Sequence, residues 1–310
     1  MTRVAILSDI HGNLHILEKA LSICRNMGVA RYVVLGDMVS DGPDSQAVLD
    51  TIQQLTTDVI RGNREEYILS YHEGLRSLWD GNYQCESLVK AYESITRKGI
   101  EYLYSLPNKK RINLYGLDTL LVHGSHSNTK HLILPSENID VFMEMYEEYE
   151  CVLFLLGHSH QSFYIQLLDK YFINPGPLGI PQSLSYYKRE DSFSMGILNI
   201  NEETSIFEYE NVYIPYDADK LKDYYLKDID KYMHPFWQEL IADSFYTKHY
   251  FSLDFLNMAK KMAKEAGFMN IDPIPNDIWD KAAIKWRKEH AGKGLFKNIL
   301  LLTRNSRFDS

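Results

Sequence analysis

The sequence predicts an α/β fold: two sheets flanked by helices, followed by an all-helical C-terminal appendage. Three observations carry this prediction. Short apolar runs alternate with helical patterns over the first two-thirds of the chain, five of those runs end in Asp, Asn or His beside glycine, and strand-like runs cease after Pro215. An apolar run of four to eight residues bounded by turn residues reads as a buried strand, and alternation with helices reads as parallel βαβ units.

The first run, Val4-Ala5-Ile6-Leu7, opens into Ser8-Asp9-Ile10-His11-Gly12-Asn13. Residues 14–27 carry apolar side chains at near-helical spacing, and Gly28 ends them. A strand over 31–36 runs into Gly36-Asp37, and a helix over 44–55 buries Ala47, Val48, Leu49 and Ile52. A third strand over 58–62 leads into Gly62-Asn63-Arg64-Glu65. This makes a right-handed repeated βαβ unit.

Residues 65–110 form a helical insert with stretches at 65–79 and 84–105, rich in tyrosine. Its aromatic residues either pack helices together or overhang the strand ends and stack on a base. Residues 111–123 read as two strands about Gly116, the second ending in His123-Gly124. An acidic helix over 137–149 precedes a strand over 151–157 that ends in Gly157-His158-Ser159-His160. Two hairpins, 163–174 about Asp169 and 193–214 about Asn201-Glu202-Glu203, extend a second sheet. The tail reads as helices over 217–232, 235–246, 252–266, 276–289 and 294–304, so the chain divides into an α/β domain, 1–214, and an extension, 215–310.

The totals describe an ordinary globular chain, 45% hydrophobic and 24% charged. No run approaches the roughly 18 apolar residues of a membrane span, and the first strand begins at the N-terminus with no signal-peptide pattern. The three cysteines are scattered, with no CxxC pair, which implies reduced thiols in a cytoplasmic setting. The formal net charge of −9 disfavours sequence-independent nucleic-acid binding, yet permits a small phosphorylated substrate where bound cations reverse the local field.

Strand ends that deliver oxygen and imidazole ligands to one rim suit a two-metal centre. In order, the motifs Asp9-x-His11, Gly36-Asp37, Gly62-Asn63-Arg64-Glu65, His123 and Gly157-His158-x-His160 resemble the calcineurin-like metallophosphoesterase superfamily. Its pattern is Asp-x-His, Gly-Asp, Gly-Asn-His-Asp/Glu, a later His and Gly-His-x-His. Asn174-Pro175-Gly176-Pro177-Leu178-Gly179 is similar to the Asn-Pro-Gly-Ser-x-Gly loop of the smaller bacterial and archaeal branch, which includes YfcE-like phosphodiesterases and dinucleoside polyphosphatases.

The resemblance implies two divalent transition-metal ions. Asp9, His11 and His160 would hold one, and Asn63, His123 and His158 the other, with Asp37 as the bridge. Ligands without thiolate leave Mn, Fe, Zn, Co and Ni open. Hydroxide formed at the metals would attack phosphorus in line. Arg64 stands where relatives often carry His. It either clamps a phosphate oxygen or pairs on the surface with Glu65 or Glu66, and it cannot give up a proton at working pH. His126 is the nearest replacement acid in sequence, ahead of His15 and His131. Asn13 and Asp41 position substrate or orient ligands.

The resulting expectation is a phosphoesterase acting on a small phosphodiester or dinucleoside polyphosphate. The alternatives are a serine/threonine-type protein phosphatase, then a nuclease or a non-catalytic scaffold. The tail is expected to serve interaction or homo-oligomerisation rather than to supply catalytic groups.

Overall fold

The computed structural model describes residues 1–181, 193–247, 251–269 and 273–290. The chain opens with β1 (Thr2–Leu7), α1 (Leu14–Met27), β2 (Arg31–Val34) and α2 (Ser45–Leu55). Helix α1 forms where the sequence marks it. The Asn13 side chain accepts the Ile16 N–H at its start, Gly28 closes it at φ 69°, and Ile16, Leu17, Ala20, Leu21 and Cys24 make its buried stripe.

The insert is α3 (Asn63–Ser70), a π-turn at Tyr71–Leu75, α4 (Arg76–Trp79), a 3-10 turn at Tyr83–Cys85, α5 (Glu86–Ser94) and α6 (Arg97–Ser105). It is more broken than the two expected stretches because Gly74 leaves helical geometry at φ 155° and Thr96 caps a new helix through the Gly99 N–H. Its tyrosines pack helices: Tyr71 stacks on Trp79 and meets Tyr92 edge-on.

Next come β3 (Lys109–Leu114), β4 (Leu117–Val122), α7 (Ile139–Glu148), β5 (Leu153–Leu155), β6 (Phe163–Leu167), β7 (Lys170–Asn174), β8 (Ser194–Ile200) and β9 (Phe207–Tyr213). One sheet has the order β2-β1-β8-β9 and the other β3-β4-β5-β7-β6. Strand β1 is parallel to β2, and β4, β5 and β7 are parallel to one another.

Alternation along the strands builds the layers. Val4 and Ile6 point between the sheets with Leu121, Leu153, Leu155, Leu198 and Ile200. Ala5 and Leu7 point the other way, onto α1, α2 and the insert. The far face of the second sheet packs Phe154 and Phe172 against Phe142 and Met145 of α7.

Three expectations need correction. Residues 58–62 form a single bridge, Val34 to Val59, because the Arg61 N–H turns away to the Pro107 carbonyl. The hairpin of β8 and β9 belongs to the first sheet, with β8 antiparallel to β1 from Thr2–Ile200 to Ile6–Gly196. Residues 217–232 do not make one helix: α8 (Ala218–Tyr225) stops short of a 3-10 turn at Ile229–Lys231.

The remaining tail helices are α9 (Phe236–Thr247), α10 (Ser252–Glu265) and α11 (Asn276–Glu289), while the expected helix at 294–304 lies outside the described residues. Leu221 and Tyr225 of α8 and Ile241, Ala242 and Phe245 of α9 enter the same core as β1 and α1. Phe236, Phe255, Trp279 and Trp286 make a second cluster with α10 and α11. No described helix is long and apolar enough to cross a membrane.

Candidate metal centre

The strands end at a common rim, and the chain there is bent in a way alternation alone does not predict. Asp9, His11, Asp37, His158 and His160 all have left-handed backbone, with φ from 47° to 64°. Asp and His tolerate this region better than most residues, and such conformations persist where surrounding contacts over-determine them. Here the His11 N–H bonds the Asp37 carbonyl at 2.9 Å, the Gly12 N–H bonds Met38, and the Gly179 N–H bonds the Asp9 carbonyl at 2.7 Å. This backbone lets both members of each pair aim inward at the rim, Asp9 and His11 toward one group and His158 and His160 toward two different ones.

Two groups that could hold a metal ion result. Asp9, His11 and His160 form one, and Asp37, His123 and His158 the other, with the ligand atoms of each group within 4.8 Å of one another. His160 Nε2 lies 3.4 Å from Asp9 Oδ1 and 3.1 Å from His11 Nε2. Asn63 Oδ1 lies 3.2 Å from His123 Nε2. Asp37 stands between the groups, its Oδ2 at 3.3 Å from His123 Nε2 and 3.8 Å from His11 Nε2. Its Oδ1 is occupied by the Arg64 N–H at 2.8 Å, the first turn of α3, so Oδ2 is left for sharing.

Proton positions follow from what the outer ring nitrogens touch. His123 Nδ1 donates to the Leu35 carbonyl at 2.7 Å and His160 Nδ1 to the Ile180 carbonyl at 3.0 Å. His11 Nδ1 faces Asp41 Oδ2 at 3.3 Å. Protons there leave the Nε2 atoms of His11 and His160 facing carboxylate oxygens as lone pairs, while His123 Nε2 carries a second proton toward Asp37 in the metal-free protein. Two imidazole lone pairs aimed at each other across 3.1 Å, ringed by carboxylates, are an arrangement that a shared cation relieves. The donor set therefore fits divalent metal.

Electrostatics agree with that reading. Burial raises the Asp37 carboxyl, but the charge and hydrogen bond of His123, then His11 and Arg64, outweigh it and hold it well below the carboxylate range. Burial likewise opposes ionisation of Asp9, yet the charge and hydrogen bond of His160, with His123, bring it to about 2. For His123, burial lowers the imidazole while the charge and bond of Asp37, then Asp9, push it up to about 10. His158, lowered by burial and by the charge of His123 to about 4, is neutral and ready to coordinate near pH 7.

A buried carboxylate that the sequence offers only as a motif member and surface partner for Arg64 holds Asp37 in place. Glu65 is fully buried and accepts N–H bonds from Asp37, Met38, Val39 and Gly62 at 2.7–3.2 Å. Gly62 must be glycine at this crossing, since a Cβ would collide with the Asp37 backbone nitrogen and Oδ1.

Asp41, only 3% exposed, is a second hub. Its Oδ1 accepts from Ser87 Oγ at 2.7 Å and Trp237 Nε1 at 3.1 Å, and its Oδ2 faces Arg64 at 3.2 Å and His11 at 3.3 Å. One carboxylate thus ties a metal ligand to the insert, the tail and Arg64. Burial raises it, but the Arg64 charge and the His11 bond hold it far below the usual range.

Above the ligands lies a cleft of about 300 Å³. His11, Asp37, Asn63, His158 and His160 form its floor, Arg64 and Lys130 bring charge to it, and Leu132, Trp237, Ser252, Leu253 and Leu256 complete its walls. Four of these wall residues come from the tail, which the sequence reading had kept away from the site.

Two predicted site residues are corrected. His126 sits in a separate cavity with Ser125, Ser127 and Lys109, its Nε2 paired to Glu148 at 3.0 Å, because the chain turns away after Gly124. It does not face the cleft. Asn13 is fully buried, its Oδ1 spent on the Ile16 N–H and its Nδ2 on the Gly179 carbonyl, so it is a helix cap and loop tie rather than a substrate contact. Arg64 does line the cleft, and its ion partner is Asp41 rather than Glu65 or Glu66.

Comparison with known proteins accords with this geometry. The model of the calcineurin-like phosphoesterase superfamily domain matches residues 2–203. Uncharacterized protein MJ0912 of Methanocaldococcus jannaschii is 28% identical over 238 residues, 70% of this chain and 89% of that protein. Hypothetical protein PH1004 of Pyrococcus horikoshii has the same fold at TM-score 0.64 and 23% identity, over 78% of this chain and 98% of that one. A metallophosphoesterase of Sphaerobacter thermophilus follows at TM-score 0.59 and 23% identity, over 73% and 93%. With the family model spanning most of the chain and its motifs gathered at one rim, the protein belongs to the calcineurin-like phosphoesterase superfamily.

Proposed function

We propose that the protein is a dinuclear metal-dependent phosphoesterase that hydrolyses a small phosphodiester or dinucleoside polyphosphate. The observation that carries this is Asp37 Oδ2, which belongs to the group with His123 and His158 and also lies 3.8 Å from His11 Nε2 of the other group, at the floor of a cleft. Two bound divalent cations would supply Lewis acidity and a hydroxide nucleophile at neutral pH, so no protein nucleophile is required.

The remaining work falls to the chain's own residues. Arg64, held by Asp41, presents guanidinium donors at the cleft and can hold a phosphate oxygen through a charge-assisted bond. Lys130 brings a second cation, set 4.5 Å above the Tyr67 ring, to receive a further phosphate or balance a diester.

Every imidazole lining the cleft belongs to the ligand groups, and Arg64 stays protonated at working pH. Substrates whose leaving oxygen needs no proton are therefore favoured: a nitrophenolate or the phosphate of a phosphoanhydride over the alkoxide of phosphoserine. A cleft of about 300 Å³ also sits at the small end of ligand sites and suits a compact substrate.

The test compares kcat/KM for a dinucleoside tetraphosphate, bis(p-nitrophenyl) phosphate and a phosphoserine peptide under one metal. The first two are expected to exceed the peptide by at least tenfold. A tenfold preference for the phosphopeptide would install the protein-phosphatase reading instead.

A further inference from the structure

The helical tail gives the cleft a wall of a different chemistry from its floor. Trp237 on α9 and Leu253 and Leu256 on α10 face the cleft beside the ligand groups, and Leu253 is 45% exposed. With Leu132 and Leu256 it forms the apolar part of a cleft whose remaining lining is largely polar, the mix that ligand sites use to bind and orient a molecule.

Trp237 is held from behind. Its Nε1–H bonds Asp41 Oδ1 at 3.1 Å and its ring leans on Trp279 at 6.1 Å. An aromatic ring whose polar edge is already bonded offers a preorganised apolar surface, with little ordering left to do on binding. Tyrosines of the insert do not line the cleft. Among the described residues, the non-histidine aromatic side chain lining the cleft is Trp237, from the tail.

We propose that the tail is the specificity element of this site: the wall of Trp237, Leu253 and Leu256 receives the non-leaving arm of the phosphodiester, and that arm is an aromatic group of nucleobase size. This rests on the phosphoesterase reading above and narrows its substrate class. Arg64 and Lys130 then hold the phosphate between the apolar wall and the ligand floor. Stacking on an aromatic surface of this kind changes affinity by about tenfold or more.

The test uses two esters with one leaving group: thymidine 5′-(p-nitrophenyl phosphate) and methyl p-nitrophenyl phosphate. Both release nitrophenolate, so chemistry at phosphorus is matched and only the second arm differs. The full-length wild type, loaded with Mn, is expected to prefer the thymidine ester by about tenfold or more in kcat/KM, chiefly through KM.

Leu253→Asn, at a half-exposed position, should cut kcat/KM for the thymidine ester about tenfold and for the methyl ester less than threefold. Leu168→Asn, on the exposed β6–β7 turn, serves as the control and should alter neither. Calorimetric binding of thymidine 5′-monophosphate should weaken in step for Leu253→Asn only. Equal rates for the two esters in the wild type, or an unchanged preference in both Leu253→Asn and Leu256→Ser, would overturn the proposal while leaving the phosphoesterase reading intact. Failure to hydrolyse either ester under any metal would overturn both.

Discussion

Asp41→Asn is the most informative single change, because every hydrogen bond that Asp41 makes constrains the outcome. The carboxylate receives Ser87 Oγ and Trp237 Nε1 on one oxygen and Ser40 Oγ and Arg64 on the other, which also faces His11 Nδ1 at 3.3 Å. An amide cannot serve them all. With its NH₂ toward Arg64 and His11, donors meet donors, and with its NH₂ toward Ser87 and Trp237, the indole N–H is opposed. One charge-assisted bond worth about 1.5–3 kcal/mol is lost and one donor is left unmet at about 1–3 kcal/mol. Arg64 keeps 20% side-chain exposure and recovers part of this from water, so a net loss of about 2–3 kcal/mol is expected. For a chain of this size that lowers the melting temperature by roughly 3–5 °C.

His11 also loses the group that fixes its Nδ1 proton, which should weaken metal binding about 10- to 100-fold. Circular-dichroism melts in chelator and a competitive metal titration read the two effects separately. A variant that melts within about 1 °C of wild type and binds metal equally well would refute the hub role assigned to Asp41.

Two further outcomes follow. His123, pushed up to about 10 in the metal-free protein, must shed a proton when metal binds, so apparent affinity should climb with pH up to about 10. Calorimetry at pH 7 in buffers of different ionisation enthalpy should detect the released proton, and buffer-independent heats would contradict the assignment. The same raised imidazole adds stability that is complete below about pH 6.5 and fades as pH rises through about 10. His126→Ala should leave kcat/KM within about twofold and cost about 1 kcal/mol, since it breaks a partly exposed pair with Glu148 and an edge-on contact with Tyr149, both away from the cleft. A hundredfold loss of kcat would return His126 to the site.

The sequence made the ligand series legible because each member sits at the end of an apolar run, where parallel strands deliver residues to one rim. Helix α1 was legible to the residue because Asn13 and Gly28 are strong local signals. Partners distant in sequence were not. The alternation in residues 194–213 marks a hairpin but does not say that β8 will pair with β1. Amphipathic tail helices announce that one face is buried, not that Trp237 and Leu253 will border a metal site made from the other end of the chain. His126 misled because nearness in sequence to His123 was read as nearness in space, and the loop closed by the Ser125 N–H on the Asn128 carbonyl turns it outward. The left-handed backbone of five ligands left no trace in sequence beyond the tolerance of Asp and His for it.

The central claim is that Asp37 bridges two metal sites. Its most direct test is elemental analysis of full-length protein reconstituted with Mn, Fe or Zn and freed of excess metal, beside folded Asp37→Asn. The account predicts about two ions per chain in the wild type and loss of most of both in the variant. No bound metal in the wild type, or two ions retained by Asp37→Asn, would contradict it.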